Sequence, residues 1–335
     1  MVLNGPDHKP RCACLGVLAV VGILVIAATA TAQPGARIPR IGVLSGQSAD
    51  KDLCLQRFRQ GLSELDYVEG KTHVLEVRRS EGRQEPIPRL AAELVGLKVD
   101  LIVSFTTEAH LSVKQATGTI PVVMAVSTYP VELGLVASLA RPGGNITGLA
   151  TFTPELMAKR VQILKEAVPT VTRLAVIREP GHRNDLIVQD YEAAAKKLGI
   201  NLRVVEVRGP EDLAAAFQTA VRDRAQAVMS TQGPFFALHG ARIAELALKH
   251  RLPGLSGEIP LGPEAGILLS YGPSPSDDCH RAARYVHRIL KGAKPAELPV
   301  EQPTKIESII NLKTARALDL TIPPLLLIRA TRIIE

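Results

Sequence analysis

Aromatic side chains are scarce in this chain of 335 residues, and tryptophan is absent. The aromatic fraction is 3%, so few rings are available to stack on nucleic-acid bases or on sugars. Lys and Arg outnumber Asp and Glu by 40 to 33, a formal net charge of +7, but no block of basic residues concentrates this surplus. Because a nucleic-acid-binding surface gathers positive charge on one face, nucleic acid is not an expected partner.

Sequence motifs for catalysis, phosphate binding and metal binding are also missing. The chain has no G-x-x-x-x-G-K-[ST] loop and no G-x-G-x-x-G loop. Residues 254–258 (GLSGE) resemble a nucleophile elbow, but Glu258 stands where the second glycine is needed. His280 and His287 are too far apart for a metal-binding pair on one helix. We therefore expect no catalytic residues, no metal site and no cofactor.

The first 32 residues have the pattern of an export signal. His8, Lys9 and Arg11 form a short basic region, and an uncharged apolar run covers residues 15–30. Small residues follow and fit cleavage after Ala32. The alternative is a retained membrane anchor, but the apolar run is shorter than the ~20 residues that a helix needs to cross a bilayer. The sequence predicts an exported, soluble mature protein.

Cysteine is rare as well. Two of the four cysteines, Cys12 and Cys14, belong to the predicted signal, which leaves Cys54 and Cys279. An oxidising compartment permits a disulfide, but two cysteines far apart in sequence say little about their distance in space. The simplest expectation is two free thiols. No Cys-x-x-Cys pair supports thiol redox chemistry or a structural zinc site.

From Arg40 onward, short β-rich runs alternate with segments whose apolar residues have helical spacing, such as Phe58, Leu62 and Leu65. This alternation predicts an α/β protein with parallel sheets and right-handed crossovers. The predicted strands are residues 41–44, 74–78, 101–104, 122–126, 174–177, 202–207, 227–230, 254–256 and 266–270.

The two halves of this pattern correspond to each other. In the first half, the run IGVL is followed by a helix ending GLSELDYVEG and then by the strand VLEVRR. In the second half, the run LAVI is followed by a helix ending AAKKLGI and then by the strand LRVVEV. Likewise RLAAELVGLKVDLIVS matches EDLAAAFQTAVRDRAQAVMS. The sequence therefore predicts two similar doubly wound parallel-sheet lobes.

Glycine- and proline-rich segments indicate where the chain passes between the lobes. We expect a multi-strand hinge with crossings at residues 141–148, 270–275 and 298–303. The predicted division is a signal peptide at 1–32, lobe 1 at 38–145 with 276–300, lobe 2 at 146–275, and a C-terminal segment at 301–335 that packs across both lobes.

Polar residues follow most of the predicted strands. Ligands of open α/β sheets bind beyond the carboxyl ends of the strands, where helix N-termini offer free N–H groups. The loops concerned are residues 45–48, 104–107, 127–129, 178–181, 231–233 and 256–258. Their hydroxyls suit a carboxylate, and Glu258 suits an ammonium group. Each residue alone is more readily explained as a helix N-cap than as a ligand contact, so the evidence lies in all six loops facing one cleft.

Several longer stretches carry a resemblance to a known family. They include RIGVLSG, FRQGLSELDYVEG, LVASLARPGGNITGL, KGAKPAELPVEQPTK and INLKTARALDLTIPPLLL, and they span nearly all of the chain from Arg40 to the C-terminus. The sequence resembles the ABC-transporter substrate-binding protein family that includes tryptophan- and tyrosine-binding members. The resemblance implies a type I periplasmic-binding-protein fold without catalytic activity. It also implies a periplasmic, monomeric receptor that closes on a small molecule and presents it to an ABC permease in the inner membrane.

Ligand contacts carried over by position form one set from each lobe. They are Ser45, Ser48, Ser104, Thr106, Thr107, Ser127 and Tyr129 from the first lobe, and Arg178, Gln232 and Glu258 from the second. The sequence departs from the family at Tyr129, where an Asp is common, and at Glu179, where an Asn is common. These departures shift the expected ligand from an ordinary amino acid towards a more acidic or aromatic molecule.

Two other functions are compatible with this architecture. One is a ligand-sensing receptor of the same fold without a transport role. The other, less favoured, is an α/β enzyme that uses the cleft between the lobes, for which no nucleophile–base pair is visible.

Overall fold

The computed structural model describes residues 37–49, 52–152, 154–257, 261–303 and 305–335. It confirms the predicted α/β architecture with two mainly parallel sheets. The predicted signal peptide and Glu258 lie outside the described residues. Within the described part, no helix is both long enough and apolar enough to cross a membrane.

The first sheet contains five parallel strands in the order β2-β1-β3-β4-β5. The strands are β1 (Arg40–Ser45), β2 (Val74–Arg79), β3 (Leu101–Ser104), β4 (Val122–Thr128) and β5 (Ile146–Phe152), and the crossover helices are α1 (Leu53–Ser63), α2 (Ile87–Gly96) and α3 (Thr107–Ala116). Both faces of this sheet are covered, so its central strands are mainly apolar and have polar residues only at their ends.

The second sheet contains seven strands in the order β12-β11-β10-β9-β8-β6-β7, with β11 antiparallel to β10. The strands are β6 (Arg173–Arg178), β7 (Asn201–Glu206), β8 (Ala227–Ser230), β9 (Gly254–Ser256), β10 (Leu269–Pro273), β11 (Ile306–Asn311) and β12 (Arg332–Ile334). The remaining helices are α4 (Pro154–Ala167), α5 (His182–Lys197), α6 (Asp212–Arg222), α7 (Pro234–Leu238), α8 (Gly240–Lys249), α9 (Leu261–Glu264), α10 (Pro275–Leu290), α11 (Leu312–Ala317) and α12 (Pro324–Arg329), and Pro295–Glu297 forms a short 3-10 helix. From β7 to β10 this sheet repeats the strand order of the first, as the internal correspondence predicts.

Helix α10 returns the chain to the first sheet and packs along α1. The helices approach closely at Gly61, where a Cβ atom would lie 2.4 Å from the carbonyl oxygen of His280. Phe58 and Leu62 of α1 share a core with Ala282 and Val286 of α10. Glycine at position 61 therefore permits the contact that closes this side of the first lobe.

The passages between lobes differ in part from the prediction. Residues 146–152 form β5 of the first sheet, with Ile146 in register with Val122, so the first passage follows β5 and not residues 141–148. Strand β5 belongs to the first sheet because it pairs in parallel with the edge of β4 opposite β3. The second passage lies between β10 and α10, within the predicted segment 270–275.

The C-terminal segment starts beside the first sheet and ends in the second. The amide of Ala150 donates to the carbonyl oxygen of Glu301 at 2.9 Å, and β11 and β12 then extend the second sheet. The third passage therefore lies between Glu301 and Ile306, beyond most of the predicted stretch 298–303.

A disulfide joins Cys54 of α1 to Cys279 of α10, with their Cα atoms 5.2 Å apart. The expectation of two free thiols is therefore wrong. The two cysteines are 225 residues apart in sequence, and only the packing of α10 on α1 brings them together.

We expect the double variant Cys54→Ala/Cys279→Ala to have a free energy of unfolding about 2–5 kcal/mol lower than the wild type, because the cross-link restricts the unfolded chain. Guanidinium unfolding followed by circular dichroism measures the difference. Dithiothreitol should bring the wild type to the variant's midpoint and leave the variant unchanged. Equal midpoints for the oxidised wild type and the variant would contradict the assignment.

Candidate functional site

A cavity of about 90 Å³ lies between the two lobes at the carboxyl ends of their strands. In each sheet the cavity borders the point where the strand order reverses, between β1 and β3 in the first lobe and between β6 and β8 in the second. Ligands of open α/β sheets bind at this point. The residues that line the cavity include Gln47, Phe105, Thr106, Thr107, Glu108, Val126 and Thr128 from the first lobe and Arg183, Gln232, Gly233, Pro234 and Ala237 from the second.

The two walls of this cavity are in contact, so the structure describes a closed arrangement of the lobes. Arg183 Nε of α5 donates to Glu108 Oε1 of α3 at 2.7 Å. Gln84 Nε2 in the first lobe donates to Glu179 Oε1 in the second at 3.3 Å. Gly46 lies against Pro234, where a Cβ atom would be 2.8 Å from Pro234 Cγ. These contacts hold the facing walls of the two lobes together.

Arg183 is the main positively charged group of the cavity wall. It lies in the first turn of α5 and is 6% exposed. While Nε binds Glu108, Nη2 is buried and has no hydrogen-bond partner among the described residues. Gly233 leaves room beside it, since a Cβ atom there would lie 3.1 Å from Nη2. A buried donor without a partner is costly, so an acceptor from a bound anion is the natural complement of Nη2.

Glu179 adds a second carboxyl group next to Arg183. Burial raises the pKa of Glu179 from 4.5 to about 7; Arg183 opposes this shift and Glu108 adds to it. Its backbone carbonyl accepts a hydrogen bond from Asn184 Nδ2 at 3.0 Å, which holds the loop after β6. Near neutral pH this carboxyl group is therefore partly protonated, and Glu108 is the partner that neutralises Arg183.

Gln232 is held in one orientation by an arginine behind the cavity. Arg160 of α4 is fully buried, and its Nη1 donates to Gln232 Oε1 at 2.8 Å while its Nε donates to the carbonyl oxygen of Tyr271 at 2.7 Å. Because a guanidinium only donates, the amide oxygen of Gln232 faces Arg160. The amide nitrogen lies against Gly257, where a Cβ atom would be 1.9 Å away. Gln232 therefore offers an N–H donor at the cleft.

Three of the predicted contact residues line the cavity: Thr106, Thr107 and Gln232. Thr106 Oγ1 also caps α3 by accepting from the amide of Ala109 at 3.3 Å. Thr107 Oγ1 accepts from the amide of Thr128 at 3.1 Å, which ties the loops after β3 and β4 together. The two threonines shape the first-lobe wall as well as lining it.

Four predicted serines lie around the cavity in different ways. Ser45 Oγ accepts from the amide of Gln47 at 3.2 Å, and Ser104 Oγ is 2.6 Å from His110 Nδ1. Ser127 Oγ is buried and has no partner among the described residues, and Ser48 borders a second, larger cavity at the mouth of the cleft. Ser45 and Ser104 thus support the loops from behind.

Burial lowers the pKa of His110 to about 4, so this histidine is neutral. It donates through Nε2 to the carbonyl oxygen of Val126 at 2.8 Å and accepts from Ser104. The pair joins α3 to β4 beneath the cavity floor.

Tyr129 and Arg178 point away from the cavity that the described residues form. Tyr129 has a φ of 52°, and this turn directs its ring into the second-lobe core, where its hydroxyl donates to Asp190. Arg178 forms ion pairs with Asp185 and Glu206. Both side chains are therefore occupied by partners in the second lobe, contrary to the expectation that they face the ligand.

Sequence reasoning missed Arg183 and Glu108. Both lie in the first turn of the helix that follows a predicted polar loop, just beyond the stretches 178–181 and 104–107. Extending each loop by one helical turn would have included them, because first-turn side chains also border the carboxyl edge of the sheet.

The chain is similar to known binding proteins. The family model for ABC transporter substrate binding proteins matches residues 41–334. A tyrosine-binding protein of Clostridioides difficile (strain R20291) is 25% identical over 280 residues, which cover 80% of this chain and 77% of that protein.

Solved structures with the same fold are also similar to this chain. The ABC domain from Streptococcus pneumoniae in complex with L-Trp is 28% identical, has a TM-score of 0.82, and matches over 88% of this chain and 99% of that one. A conserved domain protein of Vibrio cholerae is 26% identical, with a TM-score of 0.83 and the same coverage of both chains.

The raised pKa of Glu179 predicts a pH-dependent stability. The protonated carboxyl group of Glu179 makes its full contribution to the stability of the folded protein below pH 4.5. This contribution falls as the pH rises through 7, because the folded protein must then bury a charge. Between pH 4.5 and 8, Glu179 should lower the free energy of unfolding of the wild type by on the order of 3 kcal/mol. The variant Glu179→Gln should not show this decrease.

Urea unfolding of both proteins across this pH range measures the difference, and Glu192→Gln, at an exposed position of the same lobe, is the matched control. A pH profile of Glu179→Gln parallel to that of the wild type would show that folding does not raise the pKa of Glu179.

Proposed function

We propose that this chain, which belongs to the ABC transporter substrate-binding protein family, holds an amino acid or a related small organic acid between its lobes and delivers it to a membrane permease. Members of this family are binding proteins and not enzymes. The chain has the two-lobe fold of type I periplasmic binding proteins.

The observation that carries the proposed ligand class is the buried Nη2 donor of Arg183. A carboxylate beside it completes the hydrogen bonding of the guanidinium, since Nε already binds Glu108. Gln232 Nε2 supplies a second donor from the same lobe. Thr106 and Thr107 at the start of α3 face them from the first lobe. A carboxylate in this position bridges both lobes and stabilises the closed arrangement.

The surrounding charges admit an amino acid as well as a simple acid. Glu108 lines the cavity beside Arg183, so an ammonium group on the ligand finds an anionic partner near its own carboxylate. The tyrosine-binding and tryptophan-bound relatives support the amino-acid reading.

The proposed partner is an ABC permease of the inner membrane, and the proposed location of the monomeric mature protein is the periplasm, after cleavage near Ala32. The Cys54–Cys279 disulfide supports export, because such bonds form and persist in oxidising compartments.

Removing the charged donor should abolish most of the binding. We expect Arg183→Gln to weaken carboxylate binding by about tenfold to 150-fold, because a hydrogen bond to a charged group contributes roughly 1.5–3 kcal/mol. The measurement is isothermal titration calorimetry with the common L-amino acids, benzoate, propanoate and octanoate.

The matched control is Arg203→Gln, since Arg203 forms an exposed ion pair with Asp223 in the same lobe. Small-angle scattering with the bound compounds should show compaction of the wild type. If Arg183→Gln binds as tightly as the wild type, the carboxylate does not lie at Arg183.

The orientation of Gln232 gives an independent test. Gln232→Glu keeps an acceptor for Arg160, so the fold should survive, but it replaces the N–H donor with a negative charge next to the ligand carboxylate. We expect at least tenfold weaker binding of the same compounds, about 1.4 kcal/mol. Gln218→Glu, exposed on α6, is the control for added charge. Unchanged affinity in Gln232→Glu would remove Gln232 from the ligand's contacts.

A further inference from the structure

A second cavity, of about 450 Å³, opens at the mouth of the cleft. It shares Gly46, Gln47, Pro234 and Ala237 with the cavity at Arg183, so the two spaces have a common wall. We call the space at Arg183 the inner chamber and the larger space the outer chamber. Like the inner chamber, the outer one has walls from both lobes.

The inner chamber is too small to be the whole ligand site. Its volume is about 90 Å³, whereas small-molecule sites in proteins usually occupy roughly 300–1,000 Å³. The outer chamber falls in that range. A ligand whose carboxylate reaches Arg183 therefore has space for its remainder mainly in the outer chamber.

The outer chamber is apolar where the lobes face each other. Leu53, at the start of α1, is 44% exposed, and Leu238, at the end of α7, is 41% exposed. Leu238 touches the first lobe at Gly82, where a Cβ atom would lie 3.0 Å from Leu238 Cδ2, yet much of the leucine still faces the chamber. Apolar groups exposed on opposite walls of one cleft are typical of a site for an apolar ligand group.

The common wall has a rigid part and a part that can move. Gly46 and Pro234 are in close contact across it. Gln47 differs, because its side-chain amide makes no hydrogen bond to any residue in the part of the chain that the structure describes, and it is half-buried. The Gln47 side chain can therefore change its rotamer in the wall between the chambers without breaking a hydrogen bond.

We propose that the ligand is an amphipathic carboxylate, with its carboxylate in the inner chamber at Arg183 and an extended apolar tail in the outer chamber between Leu53 and Leu238. The inference rests on the proposed function and adds the shape and polarity of the ligand. Ser48, Glu81 and Glu264 also border the outer chamber, so its polar groups suit the solvent-facing end of such a tail.

Two matched pairs of compounds test the tail separately from the carboxylate. Propanoate and octanoate differ only in chain length, as do L-alanine and L-2-aminooctanoate. Calorimetry on the wild-type protein should show the longer member of at least one pair binding roughly sixtyfold or more tightly, which corresponds to burial of about three of the added methylene groups at about fourfold in affinity each.

Three single variants locate the tail. Leu53→Asp and Leu238→Asp each place a charge in the outer chamber, and both positions are exposed enough to accept it. We expect each to weaken binding of the longer compounds about tenfold or more and to leave binding of the shorter ones unchanged. Leu248→Asp is the matched control, because Leu248 is 42% exposed on α8 and does not line either chamber.

The outcomes separate the two proposals. If the short compounds bind at Arg183 but the long ones gain nothing, or gain affinity that Leu53→Asp and Leu238→Asp do not reduce, the outer chamber is not the tail site and the proposed function stands. If neither compound of either pair binds but another carboxylate of the wider panel binds at Arg183, the extended tail is overturned and the proposed function stands. If no carboxylate of that panel binds, the proposed function fails and the inference fails with it.

Discussion

The cleft depends on one buried guanidinium. A charge removed from water must be neutralised and hydrogen-bonded, or the fold carries a penalty of several kcal/mol. Arg183 of the second lobe meets this requirement only in part by pairing with Glu108 of the first, and Nη2 remains without a partner among the described residues. The pair therefore brings the lobes together and leaves one bond to be completed by a ligand. A ligand that completes the hydrogen bonding of Nη2 binds the closed state more tightly than the open state, and it shifts the population towards closure by that difference in affinity.

Much of the fold could be predicted because it follows from local patterns. Strands β3, β8 and β9 were predicted with their observed bounds, since each is a short apolar run between polar or glycine-rich segments. The sheet to which β5 belongs could not be predicted in this way. An apolar strand fits the edge of either sheet, and the pairing of Ile146 with Val122 decides between them. The same limit applies to the disulfide, which depends on the packing of two helices far apart in sequence.

The site was predictable as a region and not as a set of side chains. Parallel topology places the loops after β1, β3, β6 and β8 around one cleft, and the cavity lies there. Competition among polar partners then decides which side chains face the cavity. Arg178, at the end of β6, pairs with Asp185 and Glu206, whereas Arg183, in the first turn of α5, retains a donor for the cleft. A sequence pattern contains no information on this competition, because each partner is supplied by another element.

The disulfide connects the ligand site to the passage between the lobes. Cys54 borders the inner chamber and Leu53 borders the outer one, so the start of α1 forms part of both walls. Cys279 lies in the first turns of α10, which begins at Pro275, another residue of the inner chamber. The covalent link therefore holds one wall of the cleft at a fixed position relative to the second passage. A wall that is already in place loses little conformational entropy when a ligand binds, so more of the contact energy remains for affinity.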